Sequence, residues 1–418
     1  MSKWNCRPDD FSYCAIIDAL CKGGLVDEAL VLFSEMHRDL NVVPNVVVYA
    51  SLINGLCTSG RLNEAKRLFD EMISGGISAD VAVYNCMIHG HFQHGQQDEA
   101  RRYFDEMIDR GISPNTITFN IFIHSHCKDG KTQVAVGLFE LMHKINLKHD
   151  QFTYSSMLDG LCLAGRLQDA VKMFDSMVDK GVQPDVISCN ILVDGYCKNR
   201  KLDEAMQLFK KLKEYGLEPT TVTHNILLRG LCQDGRMKPA QKFFNEMQSF
   251  GVSPNEVTYS TILDGLCKNG KIVEAIELFE SMEGSGILAN VEMYTILIHG
   301  LCRAGRLEDA RKLFTEIPEK GLVPDVVTYT TVIAGLLYHG MFLDANTLII
   351  QMEEKGCLPN SRTYDTIIKG FLVGKETEKA LLFLHKMCER KFVPSDSVVS
   401  LLINLLSAGE LKNLQLYL

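Results

Sequence analysis

The sequence predicts an all-α chain, an α-solenoid of about eleven helix-turn-helix units of 35 residues. Three observations predict it. Eight of the fourteen cysteines (Cys21, Cys57, Cys127, Cys162, Cys197, Cys232, Cys267 and Cys302) lie on one lattice of 35 residues or a multiple, broken by a single extra residue between the first two. On that lattice the twentieth place of every unit is alanine, from Ala29 and Ala65 through Ala345 to Ala380, while the tenth holds only Gly, Ala or Ser. Apolar residues inside each unit recur at helical spacing. A period of this length marks a solenoid, whose units bury their apolar faces only by stacking.

Taken in order, residues 1–9 read as the tail of a truncated preceding unit, because "RPD" resembles the phrase that closes later units. The units then run 10–45 (one residue longer than the rest), 46–80, 81–115, 116–150, 151–185, 186–220, 221–255, 256–290, 291–325, 326–360 and 361–395. Residues 396–418 begin a further unit and read as a partial repeat that caps the last core face. In the unit at 256–290, Tyr259, Ile262, Leu263, Leu266 and Cys267 form one stripe of a first helix, and Ile272, Ala275, Leu278, Phe279 and Met282 one of a second. Gly270 stands where a left-handed cap is wanted between them, and Gly286 closes the second. The small tenth and twentieth places predict helices packed at about 8–10 Å.

No CxxC occurs, and neither a disulfide framework nor a zinc site is built from one cysteine per identical unit. The lattice cysteines are therefore read as reduced, buried thiols packing as apolar residues, in a reducing compartment. Lys plus Arg is 43 against 52 Asp plus Glu, a net charge of -9, which excludes a blanket basic surface and confines any polyanion to a local groove. No apolar run approaches the ~18 residues that span a bilayer. The start carries neither a signal peptide nor an Arg-rich transit segment. Walker, dinucleotide and G-x-S-x-G motifs are missing. The histidines of "HGHFQH" (His89, His91, His94), with His124 and His126 one unit later, are read as core polar pairs that meet across a unit interface.

Two columns vary within a small polar alphabet. The fifth place reads Cys14, Ala50, Asn85, Asn120, Ser155, Asn190, Asn225, Ser260, Thr295, Thr330 and Asp365. The last reads Asn45, Asp80, Asn115, Asp150, Asp185, Thr220, Asn255, Asn290, Asp325, Asn360 and Ser395. Helix capping accounts for the last column. It does not account for the fifth, inside a helix where Asn, Ser and Thr are indifferent formers.

The unit "VTYNxLIxGLCKxGRxxEAxxLFxEMxxxGIxPD" resembles the pentatricopeptide repeat family, over residues 10–395. The resemblance implies a right-handed superhelix that binds single-stranded RNA in the groove lined by first helices, N-terminus toward the 5′ end, with one base read per unit by the fifth and last residues. An acceptor-only carboxylate suits the ring N–H of U and G, and the NH₂ of an asparagine suits the bare ring nitrogen of C and A. Asn at the fifth place reaches a pyrimidine; Ser or Thr leaves space for a purine. Asn85 with Asn115 then reads C, Asn120 with Asp150 U, Ser155 with Asp185 G, and Asn190 with Thr220 a pyrimidine. Asn225 with Asn255 reads C, Ser260 with Asn290 A, Thr295 with Asp325 G, and Thr330 with Asn360 A. The expected core target is 5′-CUGYCAGA-3′, and the first two units and the eleventh are read as permissive ends.

The resemblance further implies that each base is sandwiched by second-place residues, here Phe11, Val47, Ile117, Phe152, Ile187, Val222, Val257 and Val327, a column broken by Glu292 and Arg362. It places phosphates against the thirteenth place, Lys22, Lys128, Lys198, Lys268 and Arg303. The basic sixteenth place (Arg166, Arg236 and Arg306 among others) is read as solvated. The zinc-deaminase signature that some members carry, H-x-E with P-C-x-x-C, is missing, and the expectation is an RNA binder without catalysis, metal or cofactor. A monomer is expected, with a nuclease or other processing factor as a possible recruit. "GLCKxGR" resembles the plant organellar, restorer-of-fertility class, which places the chain in mitochondria, with chloroplasts as the alternative. The rival reading is a protein-binding scaffold like the tetratricopeptide repeats, whose period is about 34 and whose W-x₂-L-G-x₂-Y pattern is missing here.

Overall fold

The computed structural model describes residues 9–38, 43–284 and 287–407. Among these every regular element is helical. The first six hairpins are α1 (Asp10–Lys22) with α2 (Val26–Arg38), α3 (Val46–Thr58) with α4 (Leu62–Ser74), α5 (Val81–Gln93) with α6 (Gln97–Asp109), α7 (Thr116–Lys128) with α8 (Thr132–Lys144), α9 (Gln151–Leu163) with α10 (Leu167–Asp179), and α11 (Val186–Lys198) with α12 (Leu202–Lys211). The remainder are α13 (Thr221–Gln233) with α14 (Met237–Glu246), α15 (Glu256–Lys268) with α16 (Ile272–Gly284), α17 (Val291–Arg303) with α18 (Leu307–Glu319), α19 (Val326–Tyr338) with α20 (Phe342–Glu354), α21 (Ser361–Val373) with α22 (Thr377–Glu389), and a last helix, α23 (Asp396–Ser407). Two compact units compose the chain, one up to Asn199 with Lys210–Leu217, the other Arg200–Phe209 with Glu218 onward. The predicted tail at 1–9 lies outside the described residues except for Asp9, as does Gly286. So does the cap beyond Ser407.

Each hairpin turns because the chain can go left-handed after a first helix. Gly270 has φ +75, and around it Gly270 N–H donates to Cys267 O and Lys271 N–H to Leu266 O, satisfying carbonyls that α15 leaves open. Arg200 and Lys375 hold the same place at φ 58 and 63.

Stacking then uses three columns. The twentieth-place alanine is fully buried in every unit from Ala29 to Ala380. The fourth-place tyrosine of one first helix meets the phenylalanine of the preceding second helix edge to face, as in Phe69 with Tyr84 and Phe139 with Tyr154 (both 5.5 Å) and Phe279 with Tyr294 (5.1 Å). Such pairs contribute about 0.5–1.5 kcal/mol beyond their buried area. The third column explains the cysteines. A Cβ on Gly55 would stand 2.8 Å from the Cys21 sulfur, one on Gly195 2.7 Å from Cys162, and one on Gly300 2.6 Å from Cys267. Cysteine and glycine are thus the two sides of one contact between successive first helices. Burial pushes the Cys232 and Cys267 thiols up to about 12, and they pack as neutral, apolar groups.

Candidate nucleic-acid interface

The last residue of each of the first ten units is the N-cap of the next first helix. Asn115 Oδ1 accepts from Thr118 N–H (3.0 Å), Asp150 Oδ1 from Thr153 N–H (2.8 Å), Asn255 Oδ1 from Thr258 N–H (3.0 Å) and Asp325 Oδ1 from Thr328 N–H (2.8 Å). Capping and base reading are therefore compatible. A cap must aim oxygen at the backbone, so an asparagine keeps its NH₂ for another partner and an aspartate keeps only acceptor capacity. The cap sets the polarity that each unit can present.

The fifth residue stands beside this cap. Asn120 Nδ2 donates to Asp150 Oδ1 and Oδ2 at 3.1 and 3.2 Å, and Asn85 Nδ2 to Asn115 Oδ1 at 3.4 Å. Both asparagines are buried. In unit eleven the arrangement turns inward, because Asp365 Oδ1 accepts from the Ser395 backbone N–H at 3.1 Å. In unit eight Asn290 Nδ2 already donates to Glu256 Oε2 at 3.2 Å.

Second-place side chains flank these pairs and stay in solvent. Phe11, Val47, Ile117, Phe152, Ile187, Val222, Val257 and Val327 are all 54 to 78% exposed. Large apolar side chains are thus left in solvent at eight of the eleven units, units three, nine and eleven carrying Ala82, Glu292 and Arg362 instead. A recurring exposed apolar column of this kind is a feature of interaction surfaces. Niches open between consecutive members of the column. One of about 520 Å³ is bounded by Ile117 and Phe152 and holds Asn120 and Asp150, with Asn85, His89 and His124 on its wall. One of about 330 Å³ lies between Phe152 and Ile187 and holds Ser155 and Asp185. A third, of about 690 Å³, lies between Val257 and Glu292 and holds Ser260 and Lys268. Fifth, last and second places, far apart in sequence order, thus line the same niche in units four and five, and fifth and second places line the one in unit eight.

The thirteenth-place cations divide into two sets. Lys22, Lys198 and Lys268 each pair at 2.7 Å with an aspartate one turn earlier, Asp18, Asp194 and Asp264. Lys128 and Arg303 make no ion pair among the described residues, and histidines, His124 and His299, replace the aspartate. Sixteenth-place arginines stay at the surface, where they pair with nearby carboxylates: Arg61 bonds Asp27 (2.6 Å) and Glu64 (2.7 Å), Arg166 bonds Asp169, and Arg236 reaches Asp203 (3.1 Å).

One histidine reading needs correction. His91 pairs through Nδ1 with Gln96 Oε1 at 2.8 Å and stacks on Tyr103, whereas the ring neighbours of His126 are Phe92 and Phe122. The two do not pair with each other, because Phe92 fills the space on the His126 side of the interface. Among the described residues no three His, Cys, Asp or Glu side chains gather as metal ligands. What sequence reasoning missed is the third place. Thr118, Thr153, Thr223, Thr258, Thr328 and Thr363 are buried, and the hydroxyls of Thr118 and Thr153 bond the fifth-place Asn85 and Asn120. A hydroxyl repeated inside a helix was the available signal.

The fold and its niches define a helical-hairpin repeat protein with a periodic polar groove. The PPR repeat family model matches residues 79–128, 115–163, 184–233, 222–268, 257–303, 289–337 and 324–373, and further PPR repeat models match 4–37, 40–73, 152–182 and 362–392. The chain belongs to the pentatricopeptide repeat family. Among solved structures it is similar to the pentatricopeptide repeat protein PPR10, from maize, in complex with an 18-nt psaJ RNA element, at 25% identity and TM-score 0.58 over 91% of this chain and 60% of that one. Yeast Rmd9p in complex with a 16-nt target RNA matches at 12% identity and TM-score 0.48, covering 98% of this chain and 95% of that one. The chain thus spans about 60% of the PPR10 chain. No curated protein sequence matches.

Proposed function

We propose that this chain is a sequence-specific binder of single-stranded RNA that reads one base per unit, without catalysis of its own, and acts by occupying a transcript. The observation that carries the proposal is the recurring niche: exposed apolar side chains flank a buried fifth-place residue and a more exposed last-place residue whose donor or acceptor polarity is set by helix capping. A flat base slides between the flanking side chains and presents its Watson–Crick edge to the pair. Asp150 accepts the ring N–H of a uracil, and Asn115 and Asn255 offer NH₂ to the ring nitrogen of a cytosine. The core target is 5′-CUGYCAGA-3′, with Lys128 and Arg303 the cations readiest for phosphate. The organellar-style repeats favour a mitochondrial transcript, or a chloroplast one, with processing, stabilisation or translation as the outcome and a recruited nuclease as one route.

The octamer flanked by uridines, against single-base variants in competition binding, tests this directly. Asp150→Asn should move the preference at the second base from U to C, by about 10- to 100-fold as expected for one well-formed edge pair. Unchanged selectivity at that base contradicts the pairing rule. Weak, equal retention of every oligoribonucleotide alongside tight capture of a polypeptide would favour the scaffold reading.

A further inference from the structure

The third-place hydroxyls stand between the two residues of the preceding pair. Thr153 Oγ1 lies 2.6 Å from Asn120 Oδ1 and 2.8 Å from Asp150 Oδ1, and receives the Asp150 N–H at 3.2 Å. Thr118 Oγ1 lies 2.8 Å from Asn85 Oδ1 and 3.1 Å from Asn115 Oδ1. In units nine and ten Thr295 meets Thr328 and Thr330 meets Thr363, each at 2.9 Å, and those threonines reach Asp325 (2.8 Å) and Asn360 (3.0 Å). All four third-place threonines are at most 1% exposed.

A hydroxyl has one proton. Given to Asn85 Oδ1, it fixes the amide with oxygen inward and NH₂ toward the last residue and the niche; without it either end of the amide can face the base with similar ease. Unit seven supplies the contrast inside the same chain. It has the same three residue types, Asn225, Asn255 and Thr258, but Thr258 Oγ1 bonds Asn255 Oδ1 at 2.9 Å, and Asn225 Oδ1 has no partner among the described residues. The pairing is also visible along the sequence. Where the fifth place is Cys14 or Ala50, with no amide to orient, the following third place is Val48 or Val83.

We propose that the buried third-place hydroxyl, Thr118, Thr153, Thr328 and Thr363 here, is a positioning residue for base selection by the unit before it, holding the fifth residue in one hydrogen-bonding orientation. The inference rests on the base-reading function above and adds a residue to it. Units three and seven should both prefer cytosine, and unit three, with its closed contact, should discriminate more sharply.

The test uses the full chain and two oligoribonucleotide panels, one varying the base opposite unit three and the other that opposite unit seven. Thr118→Val should lower the unit-three preference by about tenfold, the order lost with one oriented edge contact. It should leave the unit-seven panel unchanged, and Thr118→Ser should restore the preference. Should Thr118→Val not fold, Thr153→Val read against the unit-four base asks the same question. Full retention of selectivity in the valine variant overturns the proposal, as does an equal loss of affinity across both panels, which marks a structural role only. A wild-type chain with no preference in either panel overturns the base-reading function itself, a result distinct from both.

Discussion

Units four and eight share a framework and differ in what they offer a base. In unit four, Asn120 is locked between Thr153 and Asp150, Phe152 lies beside His124 at 5.8 Å between ring centres, and Lys128 is free of carboxylates among the described residues. In unit eight, the Ser260 hydroxyl is buried with no partner among the described residues and faces a unit whose third place is Met293. There the flanking residues are Val257 and Glu292, and Lys268 is held by Asp264. The packing is reversed in kind. Gly265 approaches Cys232 so closely that its Cβ would overlap the sulfur, while unit four sets Ser125 in a stack whose preceding first helix carries Phe92. How closely successive first helices approach is decided by two columns, the tenth and the twelfth, while the niche on their outer side persists in both units.

The sharpest way to break this comparison is at the packing column. Gly265→Ser should cost about 1–3 kcal/mol in a denaturant melt, because the added atoms meet Cys232 in a filled interface. The reverse change, Ser125→Gly, should cost no more than about 1 kcal/mol, the propensity difference alone. Equal costs would mean that the two stacks are packed alike.

The flanking column comes next. Phe152→Ala should weaken binding of the octamer by about 1–3 kcal/mol, the value of one aromatic stacking platform, and Val257→Ala by less than about 1 kcal/mol. Acid should separate the regions further. Burial holds His89, His91, His124 and His126 below the ordinary histidine value of 6.5, with Lys128 adding to the effect at His89 and His124. Unfolding releases these rings to bind protons, so their stability contribution is present above pH 6.5 and is lost as pH falls below it toward their folded values. Amide protection, taken relative to the intrinsic exchange rate at each pH, should then be lower at pH 5.5 than at 7.5 in units three and four, whereas in unit eight, which has no histidine, it should change little. The smallest effect is in salt. Lys128→Ala should shift the slope of log affinity against log salt by about 0.7, one phosphate on a single strand, and Lys268→Ala by less.

Much of the fold was legible because a solenoid repeats its packing problem eleven times, so each column of the sequence is its own control. The alanine column, the left-handed glycines and the buried cysteines all stand where periodicity and turn chemistry put them. The fifth and last places could be singled out by their restricted alphabets, and the second place only through the family resemblance; in units four and five all three line one niche. The third-place threonines escaped notice because a hydroxyl in the first turn of a helix looks like local capping chemistry. Its contact with Asn85 or Asn120 lies 33 residues away across a unit boundary.

The sequence by itself determined the helices, their number of repeats and the polarity each cap can present, since these depend on local propensity and on a period that residue spacing displays directly. Only the tertiary structure decided which amide is locked and which is loose, which lysine is already neutralised, and that cysteine and glycine oppose each other. Those are contacts between atoms a whole unit apart, and identical residue triplets in units three and seven resolve them differently.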